Sequence, residues 1–236
     1  MSTIDKIIEG FPFPTLPKIS GEPSYETIAA VHEKLNANAV SVQTNLGDGT
    51  LGHLWLTVKQ EVYNTLSNTP FIPPVNPGAQ PTIPANSTAA QIASIRFDFE
   101  ADTRIFQKYN NVDLALKSLL INALDEVYIQ SLRNKYTGYA SSTTKAIISY
   151  LYDNYAKITD SDLQENDKKL RAPYDPSQPI ETFFARIEEC REYAAAGNTP
   201  YTPQQILSCA YQGVFQAGVF QDGCKEWRRK PTGDKN

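Results

Sequence analysis

The chain has 236 residues, of which 41% are hydrophobic, and its 22 Lys and Arg against 26 Asp and Glu give a net charge of −4. This hydrophobic content is enough for a core, so a chain that is disordered throughout is excluded, and the length allows one large domain or two small ones. The acidic balance argues against a strong nucleic-acid binder, because that affinity comes mostly from phosphate neutralisation by Lys and Arg.

The N-terminal residues 1–23 are rich in proline around "FPFPTLPKISGEP" and predict an extended arm. The first residues, "MSTIDKIIEGFPFP", carry acids and prolines where a signal peptide carries a basic and then an apolar block. No apolar run approaches the ~18 residues that a membrane span needs. We therefore expect a soluble, cytoplasmic protein without a membrane partner.

After the arm, residues 24–39 predict a helix, and a second, short helix is expected after the glycine-rich turn "NLGDGTLGHLWL". The first helix carries one apolar side, made of Ile28, Val31, Leu35 and Val40. The short helix is expected to hold Val58, Val62 and Leu66. The proline-rich residues 69–87 that follow cannot form a regular helix and predict a loop or an extended surface segment.

From Ala89 to Leu170 the pattern is strongly helical. A long amphipathic stretch that allows one break is predicted from Val112, Leu116, Leu119, Leu120, Ala123, Val127 and Leu132. A further helix after a glycine turn should point Ile147, Tyr150, Leu151 and Tyr155 inward. In "FDFEADTR" only Asp98 and Asp102 share a helix face, and a solvated face is favoured over a paired-carboxylate site. The charged "TDSDLQENDKKL" predicts a capped helix or a linker.

Two further helices are marked by their ends. Pro179 suits the first helical position and Glu181 the first turn, whereas Gly197 and the capping box from Thr202 to Gln205 end one helix and begin the next. The apolar face of the first helix is expected to include Phe183 and Ile187, one turn apart, with Phe184 also on the predicted face. The second is expected to bury Ile206, Leu207, Ala210, Val214 and Phe215.

Reactive groups do not converge anywhere in the sequence. His32 and His53 are too few and too isolated for a metal cluster, no Cys and His spacing fits zinc, and "GDGTLG" lacks the features of a phosphate loop. Cys190, Cys209 and Cys224 are interpreted as buried reduced thiols rather than disulfide or redox residues. We expect no catalytic, cofactor or metal site, and no enzyme.

The segment order from Tyr139 to Lys230 carries a family resemblance. A Thr-rich turn, the helix "AIISYLYDNY", a charged connector ending in "KKLRAPYD", and then "QPIETFFARIEECREYAAAG" and "YTPQQILSCAYQGVF" follow one another. This order resembles the Gag capsid region of copia-type LTR retrotransposons. The set Gln178, Glu181, Phe183, Phe184 and Arg186 is loosely similar to the major homology region of retroviral capsids, although Pro179 replaces the usual glycine and the Gln to Glu spacing is shorter.

The resemblance implies an all-α, two-lobed capsid-like protein with an irregular, Pro-rich N-terminal part. It implies an arm (1–23), an N-terminal lobe (24–157) with a Pro-rich loop (69–87), a connector (158–177) and a C-terminal lobe (178–236) that can extend beyond Asn236. Such a protein assembles with itself into virus-like particles around element RNA. The alternatives are a monomeric helical adaptor for other proteins, or a Gag-derived scaffold that serves the host.

One basic cluster is the candidate RNA contact. It consists of Lys225, Arg228, Arg229 and Lys230 beside Trp227, a residue for which packing is the simpler interpretation. So few cations predict weak binding, and most of the packaging charge would come from sequence outside this chain.

Overall fold

The structure is a computed structural model that describes residues 2–231, and this part of the chain contains nine α-helices and no β-strand. The predicted all-α fold is therefore confirmed for the described residues. The chain divides into two compact units, with the boundary between Ala156 and Lys157. No helix within residues 2–231 combines the length and the apolar composition that crossing a bilayer requires.

Five helices form the first unit and four form the second. The first unit contains α1 (Thr3–Glu9), α2 (Tyr25–Ser41), α3 (Gln60–Leu66), α4 (Ala89–Asn122) and α5 (Thr144–Tyr155). Short 3₁₀ turns cover Leu54–Leu56, Glu126–Tyr128 and Gln130–Leu132. The second unit contains α6 (Asp160–Arg171), α7 (Ile180–Ala196), α8 (Pro203–Gln216) and α9 (Gln221–Arg229).

The N-terminal segment is not an extended arm throughout, and that expectation is corrected. It begins with α1, whose Ser2 and Asp5 form a capping box and which packs against α4. The prolines exclude helix only after Gly10. The following residues are pinned to the core, because the Asn38 side chain accepts a hydrogen bond from the Phe13 amide (2.9 Å) and donates one to the Phe13 carbonyl (2.8 Å).

Helix α2 confirms the predicted helix but corrects its inner face at one position. Ile28, Val31 and Leu35 are buried, whereas Val40 is 39% exposed. Val40 lies five residues after Leu35, which turns it about 140° away around a helix of 3.6 residues per turn. Asn38 and Ala39 complete the buried face instead.

The short helix α3 holds Val62 and Leu66 as predicted, but it begins at Gln60, after Val58. Val62 and Leu66 are 47% and 56% exposed, whereas Tyr63 is fully buried. Tyr63 and Val58 join Leu54 and Phe71 in a small second core. Phe71 thereby anchors the start of the proline-rich loop, with its ring stacked on Trp55 at a centroid distance of 5.5 Å.

Helix α4 has 34 residues, but only its C-terminal part is a core element. Its buried residues begin at Val112, and the side chains of residues 89–111 are half-buried or exposed. The predicted amphipathic stretch is broken after Asn122, and Val127, which was placed on its apolar side, is 67% exposed. Ile129 is buried in its place. At the end of the helix, the Ala123 carbonyl accepts a hydrogen bond from the Ile19 amide (2.8 Å).

The second unit is built around α6, α7 and α8. Its core contains Leu170, Tyr174, Phe183, Ile187, Cys190 and Cys209. The predicted burial of Phe183 and Ile187 and of the three thiols is confirmed, since Cys190, Cys209 and Cys224 are all free and buried. Leu207, which was expected inside, is 39% exposed, because Cys209 and Gly213 form the buried face of α8.

Candidate assembly and RNA-contact surfaces

Arg186 ties α7 to the segment that follows α6. Its Nη2 donates to the Ala172 carbonyl at 2.5 Å and to the Pro173 carbonyl at 3.3 Å. The guanidinium carbon also lies 5.1 Å from the centre of the Phe183 ring, within cation–π range. A charged donor on backbone carbonyls is a strong hydrogen bond, so this contact fixes where the chain enters α7.

Tyr174 ties the same segment to α8 and to the start of α7. Its amide donates to the Gly213 carbonyl (3.1 Å), and its hydroxyl donates to the Gln178 carbonyl (2.5 Å). Sequence reasoning did not single out Tyr174 or Gly213. A glycine inside a helical pattern was the available signal, because it often marks a close approach.

Gly213 gives the Phe183 ring its space. A Cβ at Gly213 would lie 2.7 Å from Cε2 and Cζ of Phe183, which is closer than side chains pack. Phe183 is only 2% exposed, and its ring also meets Tyr174 edge-on at 5.9 Å. The ring therefore fills the junction of α7, α8 and the connecting segment.

The five residues of the family-like motif are not brought together as one network. Among the described residues, no side-chain hydrogen bond links Gln178 or Glu181 to Arg186, and both of these side chains are exposed. Gln178 takes part through its backbone carbonyl alone. The reason is that Arg186 is directed to the carbonyls of Ala172 and Pro173.

Four aromatic rings form a row whose two ends face solvent. The successive ring centroids of Phe184, Phe183, Tyr174 and Phe220 are 5.6, 5.9 and 6.3 Å apart. Phe183 and Tyr174 are buried, but Phe184 is 54% and Phe220 46% exposed, next to Val219 at 61%. Phe184 was expected on the apolar face of α7, and its exposure makes it a candidate contact residue.

The basic cluster lies on helix α9, which contacts α8 through stacked aromatic rings. Trp227 stacks on Tyr211 at a centroid distance of 5.3 Å, and Tyr211 stacks on Phe215 at 5.9 Å. Lys225 is paired with Asp222 at 3.2 Å, which removes part of the charge. The exposed cations Arg228, Arg229 and Lys230 follow at the end of the helix.

Burial favours the uncharged forms of Cys190 and His32. Burial raises the pKa of the Cys190 thiol, so the nucleophilic thiolate is disfavoured. Burial lowers the pKa of His32, whose Nε2–H donates to the Thr57 carbonyl (3.0 Å) while Nδ1 accepts from the Tyr152 hydroxyl (3.3 Å). Within residues 2–231, no group of three or more His, Cys, Asp or Glu side chains could hold a metal ion.

Comparison with known proteins adds no relative: no protein-family model, no curated protein and no solved structure matches this chain. The resemblance to the Gag capsid region of copia-type retrotransposons therefore rests on the sequence motifs.

Proposed function

We propose that this chain is a structural, capsid-like protein of the copia-type Gag kind, which associates with itself into particles that enclose RNA in the cytoplasm. Two helical units agree with the two-lobed arrangement that this proposal needs. The observation that carries it is the row of aromatic rings ending in exposed Phe184 and Phe220. Exposed aromatic side chains are enriched at protein interfaces, and a repeated contact between identical subunits needs such a surface on a rigid support.

The rigid support is supplied by contacts beneath the exposed rings. Arg186 and Tyr174 fasten the connecting segment to α7 and α8 through four hydrogen bonds to backbone carbonyls. The Phe183 ring packs against Gly213 on one side and contacts the exposed Phe184 ring on the other. An interface built on this junction loses little conformational entropy on binding, which favours association through a small patch.

Self-association is tested by light scattering and negative-stain microscopy at rising protein and salt concentration. With a net charge of −4, the subunits repel one another, and salt screens this repulsion. We expect association to increase with salt and to be lost in a Phe184→Ser, Phe220→Ser double variant. The control is Val127→Ser, which removes an apolar side chain of the first unit that is 67% exposed. A chain that stays monomeric throughout would support the adaptor alternative and contradict the proposal.

RNA binding by this chain alone is expected to be weak. Helix α9 and the next residue place Lys225, Arg228, Arg229 and Lys230 beside Asp222 and Glu226, so the local excess is two positive charges. Few released counterions mean non-specific affinity, with Kd of about 10⁻⁴ to 10⁻⁶ M or weaker. Fluorescence anisotropy with a labelled RNA should show binding at low salt that fades by physiological salt. Tight binding that survives physiological salt and is lost in Arg228→Glu, Arg229→Glu would contradict this view.

A further inference from the structure

The N-terminal part of α4 lies outside the hydrophobic cores of the described residues. The buried residues of α4 begin at Val112, and none of the side chains of residues 89–108 is a member of a core cluster or packs against one. This stretch is about 30 Å long. Helices in proteins are stabilised mainly by packing of an apolar face, so a free apolar side on this stretch is a surface for another molecule.

One side of this stretch carries a row of apolar side chains that faces solvent. Ile95 and Phe99 are half-buried on one side of the helix. On the opposite side, Phe97 is 66% and Ile105 39% exposed, and Ala101 lies midway between them in sequence. Residues four apart are neighbours on a helix surface, so these three side chains form one continuous row, which we call the outer stripe.

Opposite charges lie on the two sides of the outer stripe. Asp98 and Asp102 each follow a stripe residue by one position, which places them about 100° around the helix in one direction. Arg104 precedes Ile105 by one position and Lys108 follows it by three, which places both bases in the other direction. All four charged side chains are exposed, and none of them forms an ion pair with another described residue. The stripe therefore has an acidic side and a basic side, both without a counter-ion.

We propose that the outer stripe pairs with the same stripe of a second copy of this chain, with the two helices parallel. In a parallel pair related by a two-fold axis, the acidic side of each helix faces the basic side of the other, whereas an antiparallel pair brings like sides together. The bases lie about 9 Å further along the helix than the acids. Their long side chains lean back toward the helix N-terminus, which brings Arg104 of one copy toward Asp98 of the other. The charge pattern is thus complementary to itself.

This inference rests on the proposed self-association and gives it a second contact. A single two-fold contact between identical surfaces is complete once two copies have met, so it stops at a dimer. A particle therefore needs a further contact on each copy. The exposed rings of Phe184 and Phe220 supply one contact in the second unit, and the outer stripe supplies another in the first.

The test exchanges charges across the pair and follows association of the full chain by light scattering at one fixed salt concentration. The all-basic variant, Asp98→Lys with Asp102→Lys, makes both sides of the stripe basic, and the all-acidic variant, Arg104→Glu with Lys108→Glu, makes both sides acidic. We expect each variant alone to need about tenfold or more protein to associate, because like charges then face each other. An equimolar mixture should associate as readily as the unchanged chain, because each basic side then meets an acidic side. The mixture also keeps the mean net charge of −4.

The control is Glu9→Lys with Glu22→Lys, which changes the net charge as the all-basic variant does, at exposed acids elsewhere in the first unit. It should associate at least as readily as the unchanged chain. Two results would overturn the inference and leave the proposed self-association standing: both stripe variants associate at the same concentration as the unchanged chain, or their mixture associates no better than either alone. An unchanged chain that stays monomeric at every concentration would contradict the proposed function, and the inference with it. Far-ultraviolet circular dichroism checks that each variant keeps its helix content.

Discussion

Replacing Phe183 by alanine removes a ring that is 2% exposed and that fills the junction between α7 and α8. Buried Phe to Ala changes cost about 3 to 5 kcal/mol, from lost transfer free energy and the cavity that remains. Collapse around the site is limited, because Tyr174 and Arg186 on either side are held by hydrogen bonds to backbone carbonyls. We therefore expect a loss of about 3 to 5 kcal/mol in the second unit, which makes its opening about two to three and a half orders of magnitude more frequent.

The chain supplies its own reporter for this measurement. Its three cysteines, Cys190, Cys209 and Cys224, are all free, buried and in the second unit. Their rate of reaction with an aromatic disulfide reagent reports the opening of that unit without interference from the first.

Phe184→Ala is the matched control for the Phe183 variant. It is the same substitution on the same helix, at a ring that is 54% exposed. Thiol labelling should accelerate strongly for Phe183→Ala and only slightly for Phe184→Ala. Equal acceleration in the two variants would refute the helix phase and the argument built on it.

Two further predictions concern the buried histidines and the close approach of Gly47 to Tyr63. Burial lowers the pKa of His32 and His53, so below about pH 6.5 the unfolded chain binds protons that the folded chain does not, and the free energy of unfolding should fall by up to ~1.4 kcal/mol per pH unit for each histidine. Urea unfolding between pH 7.5 and 5.5 should show a smaller loss in His32→Gln, and an unchanged loss would contradict the assignment. A Cβ at Gly47 (φ 66°) would collide with the Tyr63 hydroxyl, so Gly47→Ala should lower the unfolding midpoint more than Gly78→Ala, which has φ of 74° and open space. An equal fall in the unfolding midpoint of the two variants would contradict this, because it would show that the strain of the positive φ acts alone, without the collision with Tyr63.

Helix ends were predictable because they depend on local chemistry. Thr202 caps α8 with Gln205 as the reciprocal partner, as the sequence predicts, and both hydrogen bonds of this capping box are present at 2.7 and 3.2 Å. The start of α4 at Ala89 and, apart from Phe184, the buried face of α7 were also predictable, from proline placement and from 3.6-residue periodicity. These features need only residues within a few positions of one another.

Inner faces were less predictable wherever a distant segment decides them. Val40 is exposed because Asn38 turns inward to bind the backbone of Phe13, 25 residues away. In α3 the buried residue is Tyr63 rather than Val62, and the neighbours of Tyr63, Phe71 and Gly47, come from two different loops. Helix α1 was missed because the prolines after Gly10 outweighed the helical spacing of Ile4, Ile7 and Ile8 before them. The spacing of apolar residues shows that a helix has an apolar side, but the segment that packs against the helix decides which residues on that side are buried.

The junction around Phe183 shows why a side-chain motif could not reveal the contacts that hold it. Arg186 was singled out as a member of a set with Gln178 and Glu181, yet it bonds to the carbonyls of Ala172 and Pro173. Every residue has a carbonyl, so a sequence carries no mark of which one accepts a hydrogen bond. With Arg186 engaged in this way, Gln178 and Glu181 remain at the surface beside the start of α7. They are therefore available for contacts with another molecule, close in sequence to the exposed ring of Phe184, rather than for fixing the fold of the second unit.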